Sequence, residues 1–123
     1  MTREEFEEAV QLAFDSIPER FRDGIENVAI VVEDEATEIV NRRRGVRQGS
    51  LLLGLYEGVP LSRRGPYYGT HPVLPDRITL YRIPLERISR SPQHLQDNIR
   101  DTLIHEIGHY FGMGEDEIRD AGY

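Results

Sequence analysis

Ser91-Pro92-Gln93-His94-Leu95-Gln96-Asp97-Asn98-Ile99-Arg100-Asp101-Thr102-Leu103-Ile104-His105-Glu106-Ile107-Gly108-His109-Tyr110-Phe111-Gly112 is the stretch from which the architecture of this chain is read. Ser91 is a strong N-cap residue, and Pro92 stands at the first helical position, where its missing N–H costs no hydrogen bond and its fixed φ already suits a helix. The spacing predicts a helix to about Phe111. With His105 placed at zero on a helical wheel, His109, Thr102 and Asn98 fall within about 60° of it, while Leu103, Ile104, Ile107 and Phe111 gather on the far side. The apolar stripe faces a core, and the two imidazoles face away from it.

His105-Glu106-Ile107-Gly108-His109 has the form H-E-x-x-H, two imidazoles one helical turn apart with a carboxylate beside the first. Positions four apart stack on one helix face, so both rings can reach one ion. Glu106 then lies beside the metal, where it can hold a metal-activated water and take its proton. Gly112 follows His109 by three residues and Glu115 follows Gly112 by three more. A glycine there can end the helix in a left-handed conformation and fold the chain back, carrying an acidic side chain over the metal. Two His and one carboxylate with an open fourth position form a catalytic zinc set. Glu115 is the expected third ligand and Asp116 the close alternative, since a shift of one residue in the turn exchanges them. On the plainer reading Gly112 is an ordinary helix stop, and Glu115, Asp116 and Glu117 favour the start of a short last helix.

The whole run, H-E-x-x-H-x-x-G-x-x-acid, resembles the zincin superfamily and is close to the metzincin pattern. Together with Gly54-Leu55-Tyr56-Glu57-Gly58-Val59-Pro60 and Leu74-Pro75-Asp76-Arg77-Ile78-Thr79-Leu80-Tyr81, it resembles a family of minimal bacterial zincin-like metallopeptidases, over nearly the whole chain from Phe6 onward. The resemblance implies a zincin-type core, bound Zn²⁺ and peptidase activity. Metzincins carry a His or Asp where this chain has Glu115. They also carry a methionine turn beneath the metal, for which too little chain follows Met113, so the floor of the site is expected to be built otherwise.

Working outward, Thr2 and Glu5 form a plausible capping box ahead of Phe6, Ala9, Val10, Ala13 and Ile17 at helical spacing, and Pro18 ends that helix. Val28 to Val32 is an unbroken, β-branched run that reads as a strand buried on both faces. Asp34 to Gly49, with Arg42, Arg43, Arg44 and Arg47, is polar and weakly periodic. It reads as a mobile, solvated surface segment with one helical turn, contact with an acidic substrate or partner being the other reading. Leu51 to Glu57 reads as a second strand and Arg77 to Ile83 as a third, with Ile78 and Leu80 on one face and Thr79, Tyr81 and Ile83 on the other. The order of elements gives an α+β class: a small mixed sheet with the metal-binding helix packed on it. The stretch from Gly54 to Thr70 is the expected edge on which a peptide substrate lies in β fashion. Tyr67, Tyr68, His71, Tyr81 and Tyr110 are candidates for stabilising an oxyanion, none singled out by spacing.

At 123 residues the chain is expected to form a single domain, residues 1–123, burying roughly two thirds of its unfolded surface. It has no cysteine, so any metal must be held by imidazole and carboxylate. The acidic N-terminus lacks the apolar stretch of a secretory signal, and no apolar run has membrane length, so the expectation is a cytoplasmic protein without a membrane partner. A net charge of −7 disfavours nucleic acid as a partner. All fifteen basic residues are arginine, which excludes Schiff-base lysine chemistry. The composite expectation is a zinc-dependent peptidase acting on peptide or protein substrates, with Glu106 as general base. The alternatives are a zinc-binding module of the same fold acting in protein interaction without proteolysis, and an acidic interaction protein with an accidental motif.

Overall fold

The computed structural model describes residues 1–45, 51–70 and 73–122. Helix α1 (Arg3–Ser16) begins with the expected capping box: the Thr2 hydroxyl accepts from the Glu5 N–H, and the Glu5 carboxylate accepts from the Thr2 N–H. Phe6, Ala9, Val10 and Ala13 form its buried stripe. Pro18 ends it and starts a single turn, α2 (Glu19–Arg22), which the sequence reading passed over.

Three strands form a mixed sheet in the order β1-β3-β2, consistent with the expected α+β class. Strand β1 (Val28–Glu33) runs parallel to β3 (Asp76–Tyr81), and β2 (Gly54–Glu57) runs antiparallel to it. Here the structure corrects one expectation. The apolar run of β1 sits on an edge, and only Val32 is fully buried. The strand buried on both faces is β3, where every residue except Arg77 is covered, Thr79 included. Apolar composition reported burial in general; which strand is central depends on pairing partners far away in the chain.

Two boundaries also differ. Strand β2 starts at Gly54 instead of Leu51, although the Leu53 carbonyl still accepts from the Tyr81 N–H. Strand β3 stops at Tyr81, and Ile83 belongs to helix α4 (Arg82–Ile88). Pro84 hid that helix from the sequence reading, yet it lies in the first turn, where a backbone N–H has no intrahelical partner to lose. Within the segment from Asp34, helix α3 (Glu38–Arg43) forms behind a Thr37 cap, longer than the expected turn. The end of that segment, with Arg47, lies outside the described residues.

Helix α5 (Pro92–Tyr110) has the expected start, the Ser91 hydroxyl accepting from the His94 N–H. Leu95, Ile99, Leu103 and Ile107 pack with Phe6, Val10 and Ala13 of α1 and with Ile78 and Leu80 of β3 into one core. At Gly54 the sheet meets α5 so closely that a Cβ there would lie 2.7 Å from the Thr102 methyl. That contact sets β2 directly beside the His-bearing face of the helix.

A buried polar cluster holds the far end of β2. Asp76 accepts from the Tyr56 hydroxyl at 2.5 Å, from the Val59 N–H at 3.1 Å and from Arg64 at 2.8 Å. The Arg64 and Asp76 side chains are only 5% and 3% exposed, and the guanidinium lies over the rings of Tyr68 and Tyr110. Burial, reinforced by the hydrogen bond to Asp76 and by its charge, pushes the Tyr56 hydroxyl well above the ordinary tyrosine range. Asp76→Ala therefore leaves Arg64 buried without its counter-ion and is expected to destabilise the fold by about 3 kcal/mol or more. Urea unfolding at neutral pH measures this; a loss below about 0.5 kcal/mol, the size of an exposed pair, would show that the cluster contributes little.

Candidate metal centre

Helix α5 ends where the sequence reading places its end, and for the expected reason. Gly112 adopts φ +91°, its N–H donates to the His109 carbonyl, and the Met113 N–H reaches back to the Gly108 carbonyl. This pair of bonds is a left-handed helix stop that only glycine adopts without strain. The chain turns back into α6 (Glu115–Asp120), the short acidic helix of the plainer reading, and Ile118 of α6 packs against Gly108, on the flank of α5 beside the rings. A side chain at Gly108 would meet Ile118 at 2.9 Å, so the bare helix surface there is what lets α6 dock.

The turn carries Glu115 onto both imidazoles. His105 Nε2 lies 2.9 Å from Glu115 Oε2, and His109 Nε2 lies 2.9 Å from Glu115 Oε1. The rings stand edge to face with centroids 5.0 Å apart, and one donor atom from each of the three residues falls within 4.8 Å of the others. Asp116, the alternative, points elsewhere: it is 84% exposed and pairs with Arg119. The floor that a methionine turn would supply is made differently. The Met113 carbonyl accepts from His109 Nδ1 at 3.0 Å, and the Met113 side chain joins Ile107 and Ile118 in an apolar pocket behind the helix.

That carbonyl fixes the chemistry of His109. A carbonyl oxygen only accepts, so Nδ1 bears a proton, and Nε2 meets Glu115 either as an N–H donor or as a lone pair shared with a bound metal ion. A lone pair and a carboxylate oxygen at 2.9 Å repel unless a cation lies between them. The cation is a proton or a metal ion, and imidazole plus carboxylate at this spacing is a donor set that zinc accepts. Burial raises the Glu115 pKa, but the hydrogen bonds and charges of His105 and His109 outweigh it and hold the carboxyl below the usual range.

Glu106 lies beside this group, buried, with Oε1 accepting from the Tyr56 N–H at 2.9 Å. Burial pushes its pKa up, against the pull of His109, His105 and the Tyr56 N–H. The result is a carboxylate with raised proton affinity at the wall of an open cleft of about 930 Å³, lined by β2, the turn after it, His105, Glu106, His109 and Glu115. Sequence reasoning missed one contributor and left another as a secondary reading. Tyr56 clamps the base through its backbone, a role no side-chain pattern reveals, and Arg44, from the segment read chiefly as solvated surface, lines the cleft. Among the described residues, none of the oxyanion candidates lines the cleft. Tyr67 is exposed, Tyr81 and Tyr110 are buried, the Tyr68 hydroxyl accepts from Asn27, and His71 lies outside the described residues.

The sequence profile of the zincin-like metallopeptidases matches residues 25–123. The chain belongs to this zincin-like metallopeptidase family. Among solved structures, the zincin-like chain is similar to a conserved hypothetical protein from Thermo thermophilus, at 22% identity and a TM-score of 0.60 over 90% of this chain and 94% of that one. At that identity the likeness is one of fold. No curated protein matches by sequence. Among the described residues, no helix of this zincin-like protein is long and apolar enough to cross a membrane.

Proposed function

We propose that this protein is a zinc-dependent peptidase in which His105, His109 and Glu115 hold the metal and Glu106 is the general base. The observation that carries the reading is the convergence of His105 Nε2 and His109 Nε2 on the two oxygens of Glu115, each at 2.9 Å, with buried Glu106 beside them. When bound, zinc supplies Lewis acidity, acidifying water toward a pKa of about 7 and polarising a peptide carbonyl. Glu106 takes the proton of the attacking water; its burial raises its proton affinity toward that task. The same carboxyl, now protonated, hands its proton to the leaving amine. The Tyr56 N–H keeps one carboxylate oxygen fixed throughout.

Strand β2 supplies the substrate platform. Successive residues of a strand direct their main-chain groups to alternate sides, and Leu53 faces β3, so Gly54 and Tyr56 face away from it toward the cleft. The expected platform from Gly54 to Thr70 narrows to Gly54–Glu57, because the chain beyond Pro60 coils into a 3-10 turn (Leu61–Arg63). A peptide laid along this edge pairs with the outward main-chain groups that Glu106 does not hold, those of Gly54 and the Tyr56 carbonyl, and brings one carbonyl toward the His105 and His109 face.

Elemental analysis and a peptide-library digest test the reading together. Purified protein is expected to carry zinc, to cleave peptides, to lose cleavage with a chelator and to regain it with Zn²⁺. Protein with zinc that cleaves nothing would support the interaction-module alternative, and protein that takes up no metal would remove the reading altogether.

A further inference from the structure

We infer that the cleft selects peptides bearing a carboxylate near the scissile bond, and that Arg44 and Arg63 are the residues that recognise it. The inference deepens the peptidase reading and rests on it for the position of the scissile bond. The starting point is charge. In a chain with a net charge of −7, the cleft is lined by two arginines and three acids, Glu57, Glu106 and Glu115. Glu57 is paired with Arg77 at 3.0 Å. Glu106 and Glu115 face the imidazoles, and in the zinc-loaded site a divalent charge balances them. The two guanidinium groups are left as a positive remainder within an acidic molecule.

Neither arginine is engaged by an anion among the described residues. The Arg63 side chain makes no hydrogen bond or ion pair among them, whereas its neighbour Arg64 is buried against Asp76. Arg44 donates to a neutral acceptor, the Tyr56 carbonyl, at 3.1 Å. A carboxylate is the stronger acceptor for a guanidinium, by roughly a factor of two over a neutral one, and fits its planar fork.

Their places in the fold match a bound peptide. Arg44 sits at the end of α3 and holds the outward carbonyl of Tyr56, one of the groups with which an added strand would pair. Pairing at that carbonyl releases the guanidinium beside the incoming backbone. Arg63 closes the 3-10 turn whose Ser62 packs against Gly112, at the junction of α5 and the turn that carries Glu115. One arginine thus stands at the strand edge and the other beside the metal-side turn.

The test uses the full-length, zinc-loaded Glu106→Gln protein, so that binding is read without turnover. Fluorescent peptides with blocked ends, differing only in a central Glu, Gln or Lys, are titrated by anisotropy, together with the Gln peptide bearing a free C-terminal carboxylate. The expected result is about tenfold tighter binding of the Glu peptide than of the Gln peptide, falling within about twofold when Arg44→Gln and Arg63→Gln are combined, and a Lys preference in Arg63→Glu. Tighter binding confined to the free-terminus peptide and lost in the same double variant assigns the arginines to the chain terminus and supports the inference. Equal affinity for Glu, Gln and Lys peptides, absence of binding, or a Glu preference that survives the double substitution overturns it. Wild-type hydrolysis measured in parallel separates the two claims. A preference without cleavage sinks the peptidase reading, and cleavage without a preference sinks this one.

Discussion

Glu106→Gln is expected to retain zinc and to lose peptide hydrolysis by about a thousandfold or more in kcat/KM, within the range that positioned general bases contribute. Glutamine keeps a carbonyl oxygen to accept from the Tyr56 N–H, so the 2.9 Å clamp on β2 survives. The proton acceptor does not, because an amide oxygen has no useful basicity near neutral pH. The metal ligands are untouched, and folding is not impaired, since a buried neutral amide replaces a carboxylate whose pKa burial already raises. Zinc content and steady-state rates on one peptide decide the matter. Cleavage at the wild-type rate would take the base role from Glu106, and loss of zinc would make it a ligand instead.

His109→Ala is expected to abolish zinc binding, so that metal no longer co-purifies and added Zn²⁺ no longer raises the melting temperature. His109 is the most constrained member of the set: its Nδ1–H donates to the Met113 carbonyl, which orients the ring with Nε2 toward Glu115. Without it one imidazole and one exposed carboxylate remain, too few to hold zinc against water. Asp116→Ala is the matched control and keeps zinc, because Asp116 is turned outward to Arg119. Zinc retained by His109→Ala, or lost from Asp116→Ala, would require a different ligand set. The melting readout matters because a bound metal stabilises only the folded state that assembles its site.

Much of the candidate site was legible because it is local. The Ser91 cap, the Pro92 start, the four-residue spacing of His105 and His109 and the left-handed Gly112 all act within one helix and its ends, where bond geometry translates sequence spacing directly into position. What was illegible is non-local. Tyr56 donates to Glu106 across fifty positions, Arg44 reaches Tyr56 across twelve, and Arg64 meets Asp76 across another twelve. None of these partners is marked by periodicity, since each contact exists only because β2 pairs with β3 and lies against α5.

The sheet shows the same division. The sequence by itself determined that Val28 to Val32 and the run after Asp76 are strands and that α5 turns an apolar stripe inward, because side-chain patterning follows backbone repeat. Only the tertiary structure decided that β3 is central and β1 an edge, that Glu115 and not Asp116 meets the imidazoles, and that a strand backbone holds Glu106. The reason is that pairing order and turn rotation are settled by contacts between elements, where a single residue of register exchanges one side chain for its neighbour.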